Sequence, residues 1–463
     1  MSKQGNHLSY RVLVFGREGT EVLLRRSVTC VQFPEVTIPQ CERVAENVAS
    51  AMKQHWGEIV VCLFEPDTLL SARSSRCIVV RHWHTCGTMV KPLQWVSASE
   101  LSPNLFACPD DYRALGESLA KCQISVSDAG IGRFARLSWF EELCEWIGNS
   151  IASRSLHLTG GFRQLNASPT FSLIRFETNG PAVWFKAVGQ PNEREFSMTL
   201  KLTQLFPKYT SEIVAARDDW KGWLARETPG TNLAGTSDLS LWKTAAASLA
   251  KLQIESIGNW VPLLHAGAHE VTAVALLGTV APFRETIAEL MSQQSKTPPP
   301  VISKSELALL GDRIRDAISA LQESEIADTL GHFDLNPGNI IVGVPDQCVF
   351  LDWAEAYVGH PFYSFQYLLQ HFRRMRGEDP VAELTFTSSY LQPWSDFATV
   401  QSLAEAMALT PLIAAFAYGA GTDAWRKPEY LRDPKVAGYL RALARRMKRE
   451  ADQLSERSTP CLS

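Results

Sequence analysis

One stretch of the chain, residues 331–353, constrains the fold more than any other and reads GHFDLNPGNIIVGVPDQCVFLDW. Two short apolar runs around a Pro-Asp turn predict two buried strands joined as a hairpin. Asp334 and Asn339 precede the first strand, and Asp352 follows the second. All three side chains are therefore expected at one edge of a sheet, where a carboxylate, a carboxamide and a second carboxylate would lie close together.

This set of groups is the one that kinase-type phosphoryl transfer uses, because a carboxylate accepts the proton of the attacking hydroxyl while an amide oxygen and a second carboxylate hold magnesium. The spacing His-x-Asp-x-x-x-x-Asn, followed by Asp-Trp, resembles the aminoglycoside phosphotransferase and choline kinase group, the small-molecule branch of the protein-kinase-like fold. The resemblance implies that Asp334 is the catalytic base, that Asn339 and Asp352 bind magnesium, and that His332 supports the loop. The alternative is a hairpin whose Asp and Asn only serve turns.

A lysine upstream fits the same fold. Residues 171–177 and 182–188 read as paired strands, and Lys186 lies in the second of them. A helix follows, and its first turn carries Glu193 and Glu195. In the kinase-like fold a strand lysine reaches the α- and β-phosphates of ATP and is steadied by a glutamate of the next helix. The resemblance implies this role for Lys186, with Glu195 favoured over Glu193 as the partner, although a lone strand lysine is usually a solvated edge residue.

The sequence indicates the other residues that would contact the nucleotide less clearly. The segment before the first of these strands has no GxGxxG pattern, so Gln164, Asn166 and Ser168 either meet the phosphates or form a turn. Trp223 and Glu227 lie where a linker between two lobes, and hence the adenine contact, is expected. Three residues further on either contact the substrate or are surface or capping residues: Glu355, His360 and Asp423.

The N-terminal region predicts a separate α+β domain. A hairpin, a loop, an amphipathic helix over residues 41–56 ended by Gly57, and further strands follow in an order that resembles a Nudix domain. That family places magnesium-binding carboxylates on the helix. Here the corresponding positions hold other residues, which are Ser50, Ala51, Gln54 and His55. Without carboxylates a diphosphate cannot be held through metal, so the domain is expected to be catalytically silent, or to be an unrelated α+β fold.

A second pattern in this region alternates His82, His84 and Cys86, which a strand would present on one face. Two imidazoles and a thiolate could bind zinc, but the sequence shows no fourth ligand. No metal is assigned here.

The fold class is therefore α+β, a two-lobed protein-kinase-like fold preceded by a smaller domain. The predicted divisions are an α+β domain that resembles a Nudix domain (1–122), a helical connector (123–154), an N-lobe (155–227), a C-lobe with a helical substrate region (228–455) and a disordered tail (456–463).

Composition excludes several classes of protein. With 463 residues, 45% hydrophobic and 20% charged, the chain can bury a large core, and its net charge of -4 gives no reason to expect nucleic acid as a partner. Ten scattered cysteines without a CxxC pair favour reduced thiols and a cytoplasmic location. No signal peptide is evident, and the apolar stretch 406–422 contains Pro411, which favours a buried helix over a membrane span.

Taken together, the sequence predicts an ATP- and Mg²⁺-dependent phosphotransferase that moves the γ-phosphoryl group to a hydroxyl of a small molecule. The alternative is a kinase-like scaffold that binds a nucleotide or metabolite without turnover. The presence of Asp334, Asn339 and Asp352 favours the enzyme. The absence of a glycine-rich phosphate loop is the feature that favours the scaffold.

Overall fold

The computed structural model describes residues 7–40, 43–66, 76–86, 93–123, 132–343 and 348–458. The chain is a mixed α+β protein that divides into two compact units. The first unit comprises Met1–Phe196 and Glu212–Glu227, and the second comprises Ser197–Ser211 and Thr228–Ser463.

The first unit contains two sheets. Its N-terminal part consists of β1 (His7–Phe15), β2 (Glu21–Arg26), β3 (Val31–Gln32), β4 (Glu35–Pro39), α1 (Val44–Trp56), β5 (Glu58–Phe64), β6 (Arg76–Thr85), β7 (Leu93–Ser97), α2 (Pro109–Gln123) and α3 (Trp139–Ala152). The second sheet consists of β8 (Leu158–Ala167), β9 (Ser172–Thr178), β10 (Val183–Ala187), β11 (Ile213–Arg217) and β12 (Gly222–Arg226). Helix α4 (Arg194–Leu205) follows β10 and belongs to the second unit from Ser197 onward.

The N-terminal sheet is mixed. The order β3-β2-β1-β6-β5 has β1 and β6 parallel, with β4 also paired to β1 and β7 to β2. Helix α1 covers one face because Val48 and Met52, one helical turn apart, are fully buried. Gly57 ends the helix in the left-handed conformation (φ 74°), where glycine has no steric cost. The predicted helix and its end are confirmed, while the Nudix resemblance stays a prediction.

The predicted connector is part of a shared core. Trp139, Phe140, Leu143 and Ile147 of α3 are fully buried on one side of the helix, as its spacing predicts. They pack in one cluster with side chains from both sheets of the first unit, including Leu13 of β1. The two sheets therefore fold around α3, which joins them.

The second unit is mainly helical. Its elements are β13 (Thr231–Asn232), α5 (Leu239–Glu255), α6 (Trp260–His265), β14 (His269–Val271), α7 (Ala273–Ser292), α8 (Lys304–Gln322), β15 (Thr329–His332), β16 (Ile340–Val342), β17 (Cys348–Phe350), β18 (Ala356–Gly359), α9 (Phe362–Arg376), α10 (Pro380–Leu391), α11 (Val400–Gly421), α12 (Pro428–Leu431) and α13 (Pro434–Ser458). Strands β13, β16 and β17 form one small sheet, and β14, β18 and β15 form another.

Helix α11 is a core element. Among the helices of the described residues it is the one that is long and apolar enough to cross a membrane, but 61% of its apolar window is buried in the protein. Leu412, Ile413, Phe416 and Ala417 lie within the hydrophobic core of the second unit. The buried helix that the sequence predicts over this stretch is confirmed.

Two boundaries differ from those that the sequence predicts. The sequence predicts a helix over residues 282–295, but α7 extends over Ala273–Ser292 with Thr272 as its cap, and Pro282 lies inside it. Proline is favoured at a first helical position, yet the burial of Leu276 and Val280 before it outweighs the hydrogen bond that it removes. Helix α13 continues to Ser458, three residues into the predicted tail, and residues 459–463 lie outside the described ones.

A glycine in β15 provides a test of how tightly this region packs. Gly331 lies opposite Tyr357 of β18, and a Cβ at residue 331 would lie 1.9 Å from Cζ of that buried ring. We expect Gly331→Ala to destabilise the second unit by about 1–3 kcal/mol, as overpacking does, measured by urea unfolding. Gly278→Ala on α7 is the control, because its Cβ meets nothing within 4 Å. A wild-type midpoint for Gly331→Ala would show that the ring can move aside.

Candidate active site

The loop after β15 is held by His332. Its Nε2 lies 3.0 Å from the Leu351 carbonyl oxygen, and its Nδ1 accepts a hydrogen bond from the Asp334 backbone N–H at 3.1 Å. Because Nδ1 accepts, the ring proton belongs on Nε2, which donates to Leu351. The buried imidazole also packs against Trp353, with 4.9 Å between ring centroids. His332 thus joins the loop that carries Asp334 to the strand end that precedes Asp352.

The carboxylate of Asp334 is half-buried, and its two oxygens differ in their hydrogen-bond partners. Oδ1 accepts hydrogen bonds from Asn336 Nδ2 and from Tyr367 Oη, each at 3.2 Å. Asn336 is oriented by its own Oδ1, which accepts from the Gly338 N–H at 2.9 Å and caps the short helical turn that follows. Oδ2 has a longer contact, 3.5 Å, with Asn339 Nδ2.

Asn339 and Asp352 lie at the open end of the β16–β17 hairpin. The Leu351 N–H donates to the Asn339 carbonyl at 2.8 Å, which places Asp352 one residue beyond this contact. Asn339 Nδ2 donates to the Asp334 carbonyl at 3.0 Å, so its amide presents Oδ1 on the other side. Asp352 is in the left-handed conformation (φ 65°), which aspartate tolerates better than most residues. An amide oxygen and a carboxylate are ligands of the kind that magnesium prefers.

In the first unit, Lys186 lies in the middle strand of three, with Leu173 on β9 and Trp223 on β12 as its neighbours. Its Nζ is 2.5 Å from Glu195 Oε1, and the two side chains are 14% and 2% exposed. Glu193 instead accepts a hydrogen bond from Gln190 at 2.9 Å. The partner of Lys186 is therefore Glu195, as the sequence favoured, while the role of this pair in nucleotide binding stays a prediction.

The two residues assigned to an adenine contact have different surroundings. Trp223 is buried beside Lys186, whose Nζ lies 5.8 Å from the ring centroid. The Glu227 carboxylate binds Arg175 through two hydrogen bonds of 2.6 and 2.9 Å and accepts another from Trp184 at 3.3 Å. The hydrogen bond from Arg175 lowers the pKa of Glu227. The side chain of Glu227 is thus engaged within the sheet, and its proposed contact with adenine is untested.

The segment that was expected to cover the phosphates is largely strand β8. Gln164 is buried, and its amide bonds both the N–H and the carbonyl of Cys62 on β5, at 2.8 and 2.9 Å. It therefore joins the two sheets of the first unit and neither forms a turn nor meets a phosphate. Ser168 does form the turn, since its Oγ accepts from the Phe171 N–H at 3.0 Å. Asn166 lies within β8 opposite Leu173.

The remaining candidates have different surroundings. His360 is buried, burial lowers its pKa to about 3, and its Nδ1 accepts from the Phe362 N–H, so it is a core residue. Glu355 ends a short helical turn after Asp352, and the side chain of Asp423 lies outside the described ones. His82 Nε2 is 2.9 Å from Glu58, and the described residues contain no group of three or more His, Cys, Asp or Glu suited to a metal.

Two residues of the site were not found from the sequence. Asn336 could have been found, because an Asn before Pro-Gly signals a capped turn. Tyr367 carries no such signal, since it lies 33 residues from Asp334 on a helix whose apolar spacing explains it equally well.

Comparison with known proteins supports the interpretation of the catalytic stretch. Residues 219–401 match the model of the phosphotransferase enzyme family, and the match includes Asp334, Asn339 and Asp352. No protein of curated function matches the chain. The N-terminal region lies outside the family match. The part of the chain that carries the hairpin is therefore similar to small-molecule phosphotransferases with a kinase-like fold.

Solved structures of low sequence identity also align with the chain. A choline kinase from Cryptosporidium parvum Iowa II aligns at a TM-score of 0.46 and 12% identity, over 69% of this chain and 97% of that one. An ethanolamine kinase from Plasmodium vivax aligns at 0.45 and 15%, over 73% and 94% of the two chains. A spectinomycin phosphotransferase in complex with ADP and spectinomycin aligns at 0.40 and 12%, over 68% and 98%.

Proposed function

We propose that the protein transfers the γ-phosphoryl group of ATP to a hydroxyl of a small molecule in a magnesium-dependent reaction. The observation that carries this proposal is the arrangement around the hairpin: one carboxylate oxygen of Asp334 has no close donor among its hydrogen bonds to the described residues, Asn339 donates its amide to the Asp334 carbonyl, and Asp352 follows the residue whose N–H donates to Asn339. The family match over the same residues supports it.

Each residue has a defined part in this reaction. Asp334 orients the acceptor hydroxyl and takes its proton, while His332 keeps the loop at a fixed distance from Leu351. Asn339 Oδ1 and the Asp352 carboxylate would hold Mg²⁺, which when bound neutralises charge on the β- and γ-phosphates. Lys186, held by Glu195, would bind the α- and β-phosphates. Since the transition state is loose, positioning and electrostatics supply most of the catalysis.

The alternative is a scaffold that binds nucleotide without turnover. The observation that favours it is the turn between β8 and β9. This turn lacks the glycines of a phosphate loop, and its Pro169 carbonyl accepts a hydrogen bond from the Phe134 N–H at 3.0 Å. Such a turn is held by the protein itself and would have little freedom to close over a phosphate.

Lys186 provides the test of nucleotide binding. We expect Lys186→Met to weaken ATP binding in the presence of magnesium by at least about tenfold, because a charge-assisted contact with phosphate is lost. Isothermal titration calorimetry with ATP, with and without magnesium, measures this directly. The double variant Lys186→Met with Glu195→Gln is included because it leaves no buried carboxylate unpaired. It should recover stability but not ATP binding.

The control is Lys208→Met, which removes a lysine that pairs with Glu255 on the surface at 3.2 Å. It should bind ATP as the wild type does. Release of ADP is then followed with panels of amino alcohols, aminoglycosides and macrolides as acceptors. Magnesium-dependent binding without turnover on any acceptor, and with wild-type behaviour of Asp334→Asn, would favour the scaffold. Absence of ATP binding would refute both proposals.

A further inference from the structure

We propose that Tyr367 is a positioning residue for Asp334, and that Oδ2 of Asp334 is the oxygen that receives the proton of the acceptor. This inference rests on the proposed function, because it names how the catalytic carboxylate is held for that reaction.

The first observation is that the two carboxylate oxygens of Asp334 have different hydrogen-bond partners. Tyr367 Oη and Asn336 Nδ2 both donate to Oδ1 at 3.2 Å, so both lone pairs of that oxygen are occupied. Oδ2 has only the weaker 3.5 Å contact with Asn339 among the hydrogen bonds of the described residues. A carboxylate held in this way offers one oxygen to a hydroxyl group, and its rotation about the Cβ–Cγ bond would break two hydrogen bonds.

The second observation is that Tyr367 can act only as a donor in this pair. Burial, and then the charge of Asp334, raise the pKa of Tyr367 to about 12. The phenol therefore keeps its proton at any pH at which a kinase works, and it presents that proton to Oδ1. Stacking fixes its ring, since the centroid of Tyr418 lies 6.4 Å away at an interplanar angle of 17°.

The third observation is that α9 contacts the catalytic loop at two places. Ser364 Oγ accepts a hydrogen bond from the His332 backbone N–H at 2.8 Å, and Tyr367 lies three residues later on the same face of the helix. One contact fixes the backbone before Asp334 and the other fixes its carboxylate. The helix thus serves as a rigid support that sets both the position and the angle of the base, which is what a preorganised site needs.

The test compares Tyr367→Phe with the wild type in steady-state kinetics, on the acceptor that gives turnover. We expect kcat to fall about tenfold, the effect of losing one hydrogen bond to a charged group. The KM values for ATP and for the acceptor should stay within about twofold. This pattern separates positioning from binding, since a residue that only binds the acceptor would raise its KM and leave kcat unchanged.

The control is Tyr209→Phe, which removes a phenol that donates to the Glu255 carboxylate at 2.8 Å in the same unit. It loses the same kind of hydrogen bond away from the site, so its kcat should be that of the wild type even if its melting temperature falls. In an Asp334→Ala background, Tyr367→Phe should have no further effect on kcat. A tenfold loss that persists in that background would overturn the proposal, because Tyr367 would then act independently of Asp334.

The outcomes also distinguish this inference from the proposed function. If Asp334→Asn abolishes turnover and Tyr367→Phe retains the wild-type kcat, the function stands and the positioning role is refuted. A raised KM for the acceptor with unchanged kcat would likewise refute it and make Tyr367 a binding residue. If Asp334→Asn turned over as fast as the wild type, Asp334 would not be the base and the role of Tyr367 would fail, while the absence of turnover by the wild type on every acceptor would refute the proposed function.

Discussion

Replacing Asp334 by Asn is expected to lower kcat for phosphoryl transfer by about 10³-fold, the usual contribution of a general base. An amide has the same size and can still accept a hydrogen bond at the position of Oδ1, so the contacts with Asn336 and Tyr367 can persist. It cannot take a proton at the position of Oδ2. Affinity for ATP with magnesium should be unchanged, because the proposed metal ligands are other residues. Coupled detection of ADP and calorimetry measure the two quantities separately.

The matched control for this prediction is Asp312→Asn on α8, where the carboxylate forms a surface ion pair with Arg315 at 2.7 Å. Surface pairs of this kind contribute little to stability, so this variant should keep both turnover and fold. If Asp334→Asn retained more than about a tenth of the wild-type rate, Asp334 would only orient the acceptor and another group would have to take the proton.

The β16–β17 hairpin could be predicted because the residues that determine it are close in sequence. The two apolar runs, the turn and the flanking polar residues lie within 23 positions, and β16 and β17 form where the pattern places them. Lys186 and Glu195 are also close in sequence, nine residues apart, so that a strand followed by a helix brings them together. Such patterns reflect interactions between residues that are close in sequence.

Contacts between distant segments could not be predicted. Gln164 bonds Cys62, 102 residues earlier, and nothing near Gln164 distinguishes it from a residue of a loop. As a result Gln164 and Asn166 were expected in a loop or turn, although both lie in a strand whose pairing with β9 decides its conformation. Tyr367 was missed for the same reason, because its hydroxyl meets Asp334 only once α9 has packed beneath the loop.

The N-terminal region also contains contacts between distant segments that the sequence does not predict. Its strands and helices follow the predicted order, but α3 packs against both sheets of the first unit, which the sequence does not indicate. A module whose core is continuous with the sheet of Lys186 is expected to be needed for that sheet to fold. The absence of acidic residues at Ser50, Ala51, Gln54 and His55 fits such a structural role better than a hydrolytic one.

Asp352→Asn is expected to remove the magnesium dependence of ATP binding, with a loss of at least about tenfold in affinity at saturating magnesium, since even outer-shell changes have effects of this size. The amide keeps the shape of the side chain, and asparagine tolerates the left-handed conformation that Asp352 adopts (φ 65°). The fold should therefore persist while the negative charge is lost. Asp352→Ala is the comparison, because it removes the ligand and also strains the backbone. Titration calorimetry of ATP over a range of magnesium concentrations measures the effect, and circular dichroism melting verifies the fold. If Asp352→Asn bound ATP and magnesium as the wild type does, the metal would have to be held elsewhere, and the assignment of Asn339 and Asp352 as its ligands would be wrong.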